Sequence, residues 1–169
     1  MLDQARVIVT NTTPLIALAA ATGNLNVLRT IYTRVVVPYE VAEEIRTGGK
    51  DAFGLDVFDQ ASWLEISTVP AVLAPYLQNT LDRGEASVIQ TALQQGIKLV
   101  CIDETAGRRV ARLSNLCVTG SIGILLKAKS MGYALSIPEA INRMRDRGIW
   151  LSPDVIRFAL AHSTSSGKE

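Results

Sequence analysis

The chain has 169 residues, of which 48% are hydrophobic and 20% are charged, and its formal net charge is +1. This length and composition can form one hydrophobic core, which excludes a disordered chain, a collagen-like repeat and a disulfide-stapled mini-protein. No apolar run approaches the ~20 residues that cross a bilayer, and residues 1–4 lack the basic start of a signal peptide, so we expect a cytoplasmic protein without a membrane segment.

The predicted strands are short β-branched runs that alternate with helical stretches. In chain order they cover residues 7–10, 35–37, 64–67, 99–102 and 116–118. Four of them lack polar alternation, as parallel strands covered on both faces do, whereas the third alternates and fits an edge strand. The sequence therefore predicts an α/β fold, a three-layer α/β/α sandwich with a mostly parallel five-stranded sheet.

Helix starts and domain limits follow from capping residues and composition. The predicted starts are Thr13, Pro38, Asp82, Thr105 and Ser121. We expect a single domain over residues 1–161, in which residues 137–161 form a C-terminal helical extension. Residues 162–169 have the polar composition of a flexible tail.

Two polar residues directly follow predicted strands. Asn11 follows the first strand and Asp103 follows the fourth. Ligands of open α/β sheets bind beyond the carboxyl ends of the strands, at the point where the strand order reverses. If these two strands are neighbours, Asn11 and Asp103 are expected to face one crevice.

The helical acids leave alternatives open. Glu85 shares a helix face with apolar residues, where an unpaired carboxylate is costly to bury, but it also stands three residues after Asp82, where a capping box would use it. The spacing alone favours the cap. In the preceding helix none of Glu40, Glu43 and Glu44 lies on the apolar face, and periodicity does not distinguish a functional acid from solvated ones.

Oxygen-only carboxylate clusters suit hard divalent cations. Mg²⁺ and Mn²⁺ prefer octahedral oxygen ligands, and such ions promote in-line displacement at phosphorus without requiring His or Cys. The single His and two Cys of this chain agree with that chemistry.

With these positions in view, the sequence resembles the PIN-domain family (PilT N-terminus-like), which includes the VapC-type toxin ribonucleases. The resemblance covers five blocks in order: VIVTNTTPLI at 7–16, VVPYEVAEEI at 36–45, LDRGEAS at 81–87, LVCID at 99–103 and VTGSIG at 118–123. The last block is similar to a variant subgroup in which a Thr-Gly turn precedes the final core helix.

The resemblance implies Mg²⁺- or Mn²⁺-dependent cleavage of RNA, homodimers and, for toxin members, a small antitoxin protein as partner. It selects Glu44 over Glu43 and implies that Glu44, Glu85 and Asp103 hold the metal. Asn11 completes the implied catalytic set. The implied supporting residues are Thr13, Thr119 and Ser121.

Asn11 departs from the family pattern, in which this position is normally Asp. An amide oxygen ligates a metal without adding negative charge, so divalent affinity should fall. Two hypotheses follow. The chain is either a metal-dependent ribonuclease or a weakened or inactive PIN-like module that binds RNA or a partner protein. A flavodoxin-like small-molecule domain fits less well, because no Gly-rich phosphate loop follows a strand.

Charge is divided unevenly along the chain. Residues 1–104 carry 7 Lys or Arg and 12 Asp or Glu, whereas residues 105–169 carry 10 and 4. Cations beside an acidic crevice can contact RNA phosphates, although an ordinary solvated helix face explains any single one of them slightly better. The candidates for phosphate contact are Arg108, Arg109, Arg112, Lys127 and Lys129.

Overall fold

The computed structural model describes residues 6–48 and 52–163 and contains one five-stranded sheet. Its strands are β1 (Val7–Thr10), β2 (Arg34–Val37), β3 (Glu65–Ile66), β4 (Leu99–Cys101) and β5 (Cys117–Thr119). The strand order is β3-β2-β1-β4-β5 and every pairing is parallel. All five predicted strands are confirmed to within about one residue at each end.

The strands in the middle of the sheet are longer than the edge strand β3, which is the shortest. In β1, Ile8 and Val9 are fully buried, and Val100 of β4 is equally buried. These side chains are covered on both faces, which explains why the central strands read as continuous apolar runs. β3, the alternating strand, has only two residues and lies at an edge, as its pattern predicted.

Helices flank the sheet, so the predicted α/β sandwich is confirmed. Within the described ranges they are α1 (Thr12–Thr22), α2 (Asn26–Ile31), α3 (Tyr39–Thr47), α4 (Ala52–Gln60), α5 (Pro75–Thr80), α6 (Arg83–Gln95), α7 (Thr105–Leu113), α8 (Ser121–Ser130), α9 (Ile137–Asp146) and α10 (Pro153–His162). Helix α6 packs on α3 and α5, and it contacts β1 and β4. Helix α1 packs on α8 and α9.

The predicted helix starts divide into two groups. The side chain of Asp82 accepts the backbone N–H of Glu85 and caps α6, as predicted. Thr13, Thr105 and Ser121 instead lie within the first turn of their helices. The N-cap positions of those helices are Asn11, Glu104 and Gly120.

The C-terminal extension consists of two helices. Helix α9 packs against α1, and α10 packs against α8 and α9. Of the predicted tail, residues 164–169 lie outside the described residues. His162 ends α10, and the carbonyl of the buried Ser163 accepts a hydrogen bond from Lys129 Nζ. Throughout residues 6–48 and 52–163, none of the helices has the length and apolar character needed to cross a membrane.

Candidate metal centre

The carboxyl ends of β1 and β4 meet at the point where the strand order reverses. These strands are direct neighbours, and the backbone N–H of Asn11 donates to the carbonyl of Cys101 at 3.1 Å. Helices α1 and α7 begin immediately beyond these strand ends. Their first residues therefore lie at the place where open α/β sheets bind ligands.

Glu44 and Asn11 approach each other beside Gly84, at the start of α6. A Cβ atom at Gly84 would lie 2.7 Å from Glu44 Oε2 and 3.3 Å from Asn11 Oδ1. A side chain at this position would displace the Glu44 oxygen, so the glycine leaves room for both oxygens at the start of α6. The hydroxyl of Thr12 donates to Glu44 Oε2 at 3.0 Å and holds this carboxylate at the crevice.

Glu104 occupies the other side of Asn11. Asn11 Nδ2 donates to Glu104 Oε2 at 3.4 Å, and the Thr13 hydroxyl donates to Glu104 Oε1 at 2.7 Å. Both oxygens of the Glu104 carboxylate are therefore directed toward the N-terminus of α1. The acid that contacts Asn11 is Glu104, one residue beyond the Asp103 expected there.

The side chain of Glu85 lies with Glu44 and Glu104, whereas its backbone N–H donates to Asp82, the N-cap of α6. It is buried, with 6% of its surface exposed, and it lies against Gly107 of α7, where a Cβ would be 3.3 Å from Glu85 Cδ. The pKa of Glu85 is raised from 4.5 to about 7. Burial is the largest cause, and the charges of Asp82, Glu104 and Glu44 and a side-chain hydrogen bond with Glu104 contribute to the same rise. We call Glu44, Glu85, Glu104 and Asn11 the acidic cluster.

Asp103 lies beside the acidic cluster but makes different contacts. Its Oδ1 accepts the backbone N–H of Ser121 at 2.8 Å and its Oδ2 accepts the Ser121 hydroxyl at 3.0 Å. Burial raises the pKa of Asp103, while the two Ser121 hydrogen bonds and the charge of Arg108 oppose that rise. Successive side chains on an extended segment point to opposite sides, so Asp103 turns toward α8 when Glu104 turns toward the N-terminus of α1.

The predicted supporting residues differ in their surroundings. Thr13 contacts the acidic cluster through Glu104, as described above. Ser121 contacts Asp103. The hydroxyl of Thr119 donates to the carbonyl of Gly120 at 3.4 Å and lies close to Gly123, where a Cβ would be 2.7 Å away. Thr119 thus shapes the turn into α8.

The five cations predicted to contact phosphates fall into two groups, two that bond within the fold and three that are exposed. Arg108 is half-buried and donates to the carbonyl of Ile102 at 2.9 Å, and Lys129 is held by Ser163. These two cations stabilise the fold. The three exposed candidates are Arg109, Arg112 and Lys127.

The donor chemistry of the acidic cluster fits Mg²⁺ or Mn²⁺. Across residues 6–48 and 52–163, no three Asp, Glu, His or Cys side chains are gathered as ligands of one ion. Magnesium sites commonly use one or two protein carboxylates and keep several waters, so such a cage is not required. The adjacent Glu85 and Glu104, together with the Asn11 and Glu44 oxygens beside Gly84, form a donor set of this kind.

Sequence reasoning missed three features. Glu104 is the second polar residue after β4 and follows Asp103 directly, so the first-residue pattern predicts Asp103 alone. Thr12 lies between Asn11 and the predicted cap Thr13, and its hydroxyl contact to Glu44 joins residues 32 apart in the chain. Glu40, expected to be solvated, is buried with 5% of its surface exposed, because its Oε1 accepts the backbone N–H of Ala71 at 2.7 Å. Polar residues beyond the first after each strand were the available signal for Glu104 and Thr12.

The fold and the acidic cluster define a class: a parallel α/β sandwich with an oxygen-rich acidic site where the strand order reverses. The family model described as "PIN domain" matches residues 7–165, and the chain belongs to this family. The family-level resemblance is thereby confirmed. PIN domains are usually nucleases and typically use divalent metals, which indicates a nuclease-type function.

A further similarity is to a protein named tRNA (guanine-N(1)-)-methyltransferase from Borrelia garinii subsp. bavariensis. The identity is 30% over 109 residues, which is 62% of this chain and 41% of that protein. The chain therefore spans about two fifths of the relative's length. A match to so small a part of that protein does not indicate methyltransferase activity for this chain.

Proposed function

We propose that this chain is a metal-dependent ribonuclease whose reaction takes place at the acidic cluster. The observation that carries the proposal is the convergence of Glu44, Glu85 and Asn11 at the end of a PIN-family sheet. Repulsion among the carboxylates contributes to the raised pKa of Glu85, and a divalent cation would relieve that repulsion. The proposed cofactor is Mg²⁺ or Mn²⁺.

The residues of the chain hold the donor atoms in place. Thr12 orients the Glu44 carboxylate, Thr13 orients Glu104, and Asn11 links the two sides of the acidic cluster. When bound, the ion supplies positive charge that stabilises the developing charge on a phosphoryl oxygen and acidifies water. The hydroxyls of Thr12 and Thr13 hydrogen-bond to the proposed ligand carboxylates, and such outer hydrogen bonds fix ligand geometry in metal sites.

The proposed substrate is RNA, bound through its phosphates. Three aromatic residue types make up only 5% of the chain, so base stacking has few side chains to use. Arg109 and Arg112 are exposed on α7, whose N-cap residue is Glu104, and they are the cations proposed to contact RNA phosphates. Phosphate contacts of this kind attract RNA without regard to sequence.

The test is RNA cleavage by the purified chain with Mn²⁺ and with EDTA. Single-stranded RNA and a tRNA are both suitable probes, the latter because the Borrelia relative is named for a tRNA-modifying activity. Glu85→Gln should lower Mn²⁺-dependent cleavage about 100-fold or more, because losing even a residue that only supports a metal ligand costs about 10- to 100-fold. Glu43→Gln, an exposed acid on α3, is the matched control and should cleave like the parent chain.

Two outcomes would contradict the proposal. Equal cleavage by Glu85→Gln and the parent chain would show that the activity comes from a contaminating nuclease. RNA binding without cleavage in Mn²⁺ would support the non-cleaving PIN-like module, in which Asn11 weakens the site too far.

The toxin role, the antitoxin partner, the homodimer and the cytoplasmic location stay predictions from the resemblance. Growth arrest on expression of the chain, relieved by a small neighbouring reading frame, would support the toxin role. Light scattering of the purified chain would give its oligomeric state. A monomer in light scattering would contradict the homodimer. Unimpaired growth on expression would contradict the toxin role.

A further inference from the structure

We infer that Glu104 supplies the negative charge that Asn11 lacks, and that Asp103 caps α8 instead of serving the acidic cluster. This inference rests on the proposed metal site, which it deepens by reassigning one ligand. The juxtaposition that carries it is the Asn11 side chain between Glu104 on one side and Glu44 with Gly84 on the other.

Asn11 and Glu104 are chemically matched. A carboxylate at position 11 would place a second negative charge 3.4 Å from Glu104 Oε2, and neither group could donate a hydrogen bond. The amide of Asn11 instead donates to Glu104 and leaves Oδ1 facing Gly84 and Glu44. An amide at position 11 and a carboxylate at position 104 therefore complement each other as hydrogen-bond donor and acceptor.

Glu104 is held firmly enough to act in the acidic cluster. Thr13 donates to Oε1, Asn11 donates to Oε2, and the carboxyl of Glu85 lies within hydrogen-bonding reach. A carboxylate accepts up to about four hydrogen bonds, so capacity for a further ligand remains on Glu104.

Asp103 is directed toward α8. Each of its oxygens already accepts a hydrogen bond from Ser121, and its carboxylate lies at the positive N-terminal end of α8. A Cβ at Gly120 would lie 2.7 Å from Asp103 Oδ1, which shows how closely the turn packs around this carboxylate. Asp103 and Glu104 each accept two hydrogen bonds and have the same remaining capacity, so direction separates them: Asp103 faces Ser121, whereas Glu104 faces Asn11 and Glu85.

The test is a double-mutant cycle read by Mn²⁺ binding in isothermal titration calorimetry. Glu104→Gln keeps the shape of the side chain and removes its charge, and it should weaken Mn²⁺ binding about 10- to 100-fold. Asn11→Asp combined with Glu104→Gln should restore binding to within about threefold of the parent chain, since the charge is returned to the neighbouring position. Glu43→Gln controls for removal of a nearby exposed acid.

A second measurement keeps folding separate from binding. Asp103→Asn should lower the melting temperature by the same amount with and without Mn²⁺, whereas Glu104→Gln should remove most of the Mn²⁺-induced rise. Circular dichroism of each variant verifies that it is folded before titration.

The outcomes separate this inference from the proposed function. Mn²⁺ binding lost in Asp103→Asn and retained in Glu104→Gln overturns the inference, and so does a double variant that binds no better than Glu104→Gln. A parent chain that binds Mn²⁺ with the predicted variant pattern but cleaves no RNA supports the inference and overturns the ribonuclease. A parent chain that binds no Mn²⁺ overturns both.

Discussion

The acidic cluster and the N-terminus of α8 give their carboxylates opposite surroundings. At α8, Asp103 is matched by a backbone N–H and a hydroxyl of Ser121, so its charge has donors within the fold. In the acidic cluster, Glu85 is buried among other acids and its pKa is raised to about 7. Burial raises the pKa of both carboxyls, but hydrogen bonds from Ser121 oppose the rise at Asp103, whereas neighbouring acids add to it at Glu85 until a cation or proton arrives.

The largest expected effect is stabilisation of the acidic cluster by metal. Mn²⁺ at about 100 times its dissociation constant should stabilise the folded chain by about 2.7 kcal/mol, a rise of roughly 5–10 °C in melting temperature for a chain of this size. Glu85→Gln should lose most of this rise, because it removes a ligand charge. Differential scanning calorimetry with and without Mn²⁺ measures both. A rise that persists in Glu85→Gln would place the ion elsewhere.

The next largest effect is the loss of stability when Asp103, which accepts two hydrogen bonds from Ser121, is replaced. Asp103→Ala removes both acceptors of Ser121 and should lower the free energy of unfolding by about 1–2 kcal/mol, the usual cost of losing a helix cap. The melting temperature should fall by roughly 2–8 °C, measured without metal. Ser121→Ala, which keeps the backbone N–H bond, should cost less. A fall of similar size in both variants would show that the hydroxyl carries the interaction.

The strands were predictable because the sheet is parallel and buried. Central strands such as β1 and β4 must be apolar on both faces, and that requirement appears directly as unbroken apolar runs. The cap at Asp82 was equally visible, since it depends on residues three apart in the chain. Features set by neighbours in sequence were therefore accessible.

The composition of the acidic cluster was less accessible, because it depends on which way the chain turns after a strand ends. Asp103 and Glu104 are both polar and adjacent, and the sequence contains no signal that assigns one to α8 and the other to Asn11. The burial of Glu40 depends on Ala71, 31 residues away, and no periodicity within α3 contains that contact.

A smaller effect should appear in the pH dependence of stability without metal. Because the folded-state pKa of Glu85 is raised from 4.5 to about 7, the folded chain binds more protons than the unfolded chain between these values. The free energy of unfolding should therefore fall as pH rises from about 4.5 to 7. Below about 4.5 the carboxyl is protonated in both states and contributes no penalty.

Glu85→Gln isolates this contribution. After allowance for screening by solvent, the variant should be more stable than the parent by about 1 kcal/mol at pH 7.5, or roughly 2–4 °C, and the difference should vanish near pH 4.5. Thermal melts of both chains across this range, in EDTA, provide the comparison. A constant difference at every pH would mean that packing, and not the charge of Glu85, separates the two chains.

The smallest effect concerns two neighbouring arginines of α7, of which one is hydrogen-bonded within the fold and the other is exposed to solvent. Arg108 is held by the carbonyl of Ile102 and lies near Asp103, whereas Arg109 is exposed on the same helix. If Arg109 contacts a phosphate, Arg109→Gln should reduce the slope of log binding constant against log salt by about 0.7 for single-stranded RNA. Arg108→Gln should chiefly lower the melting temperature, because it removes a hydrogen bond to a strand end. Fluorescence anisotropy over a salt series measures the slopes, and an unchanged slope in Arg109→Gln would remove that residue from the RNA surface.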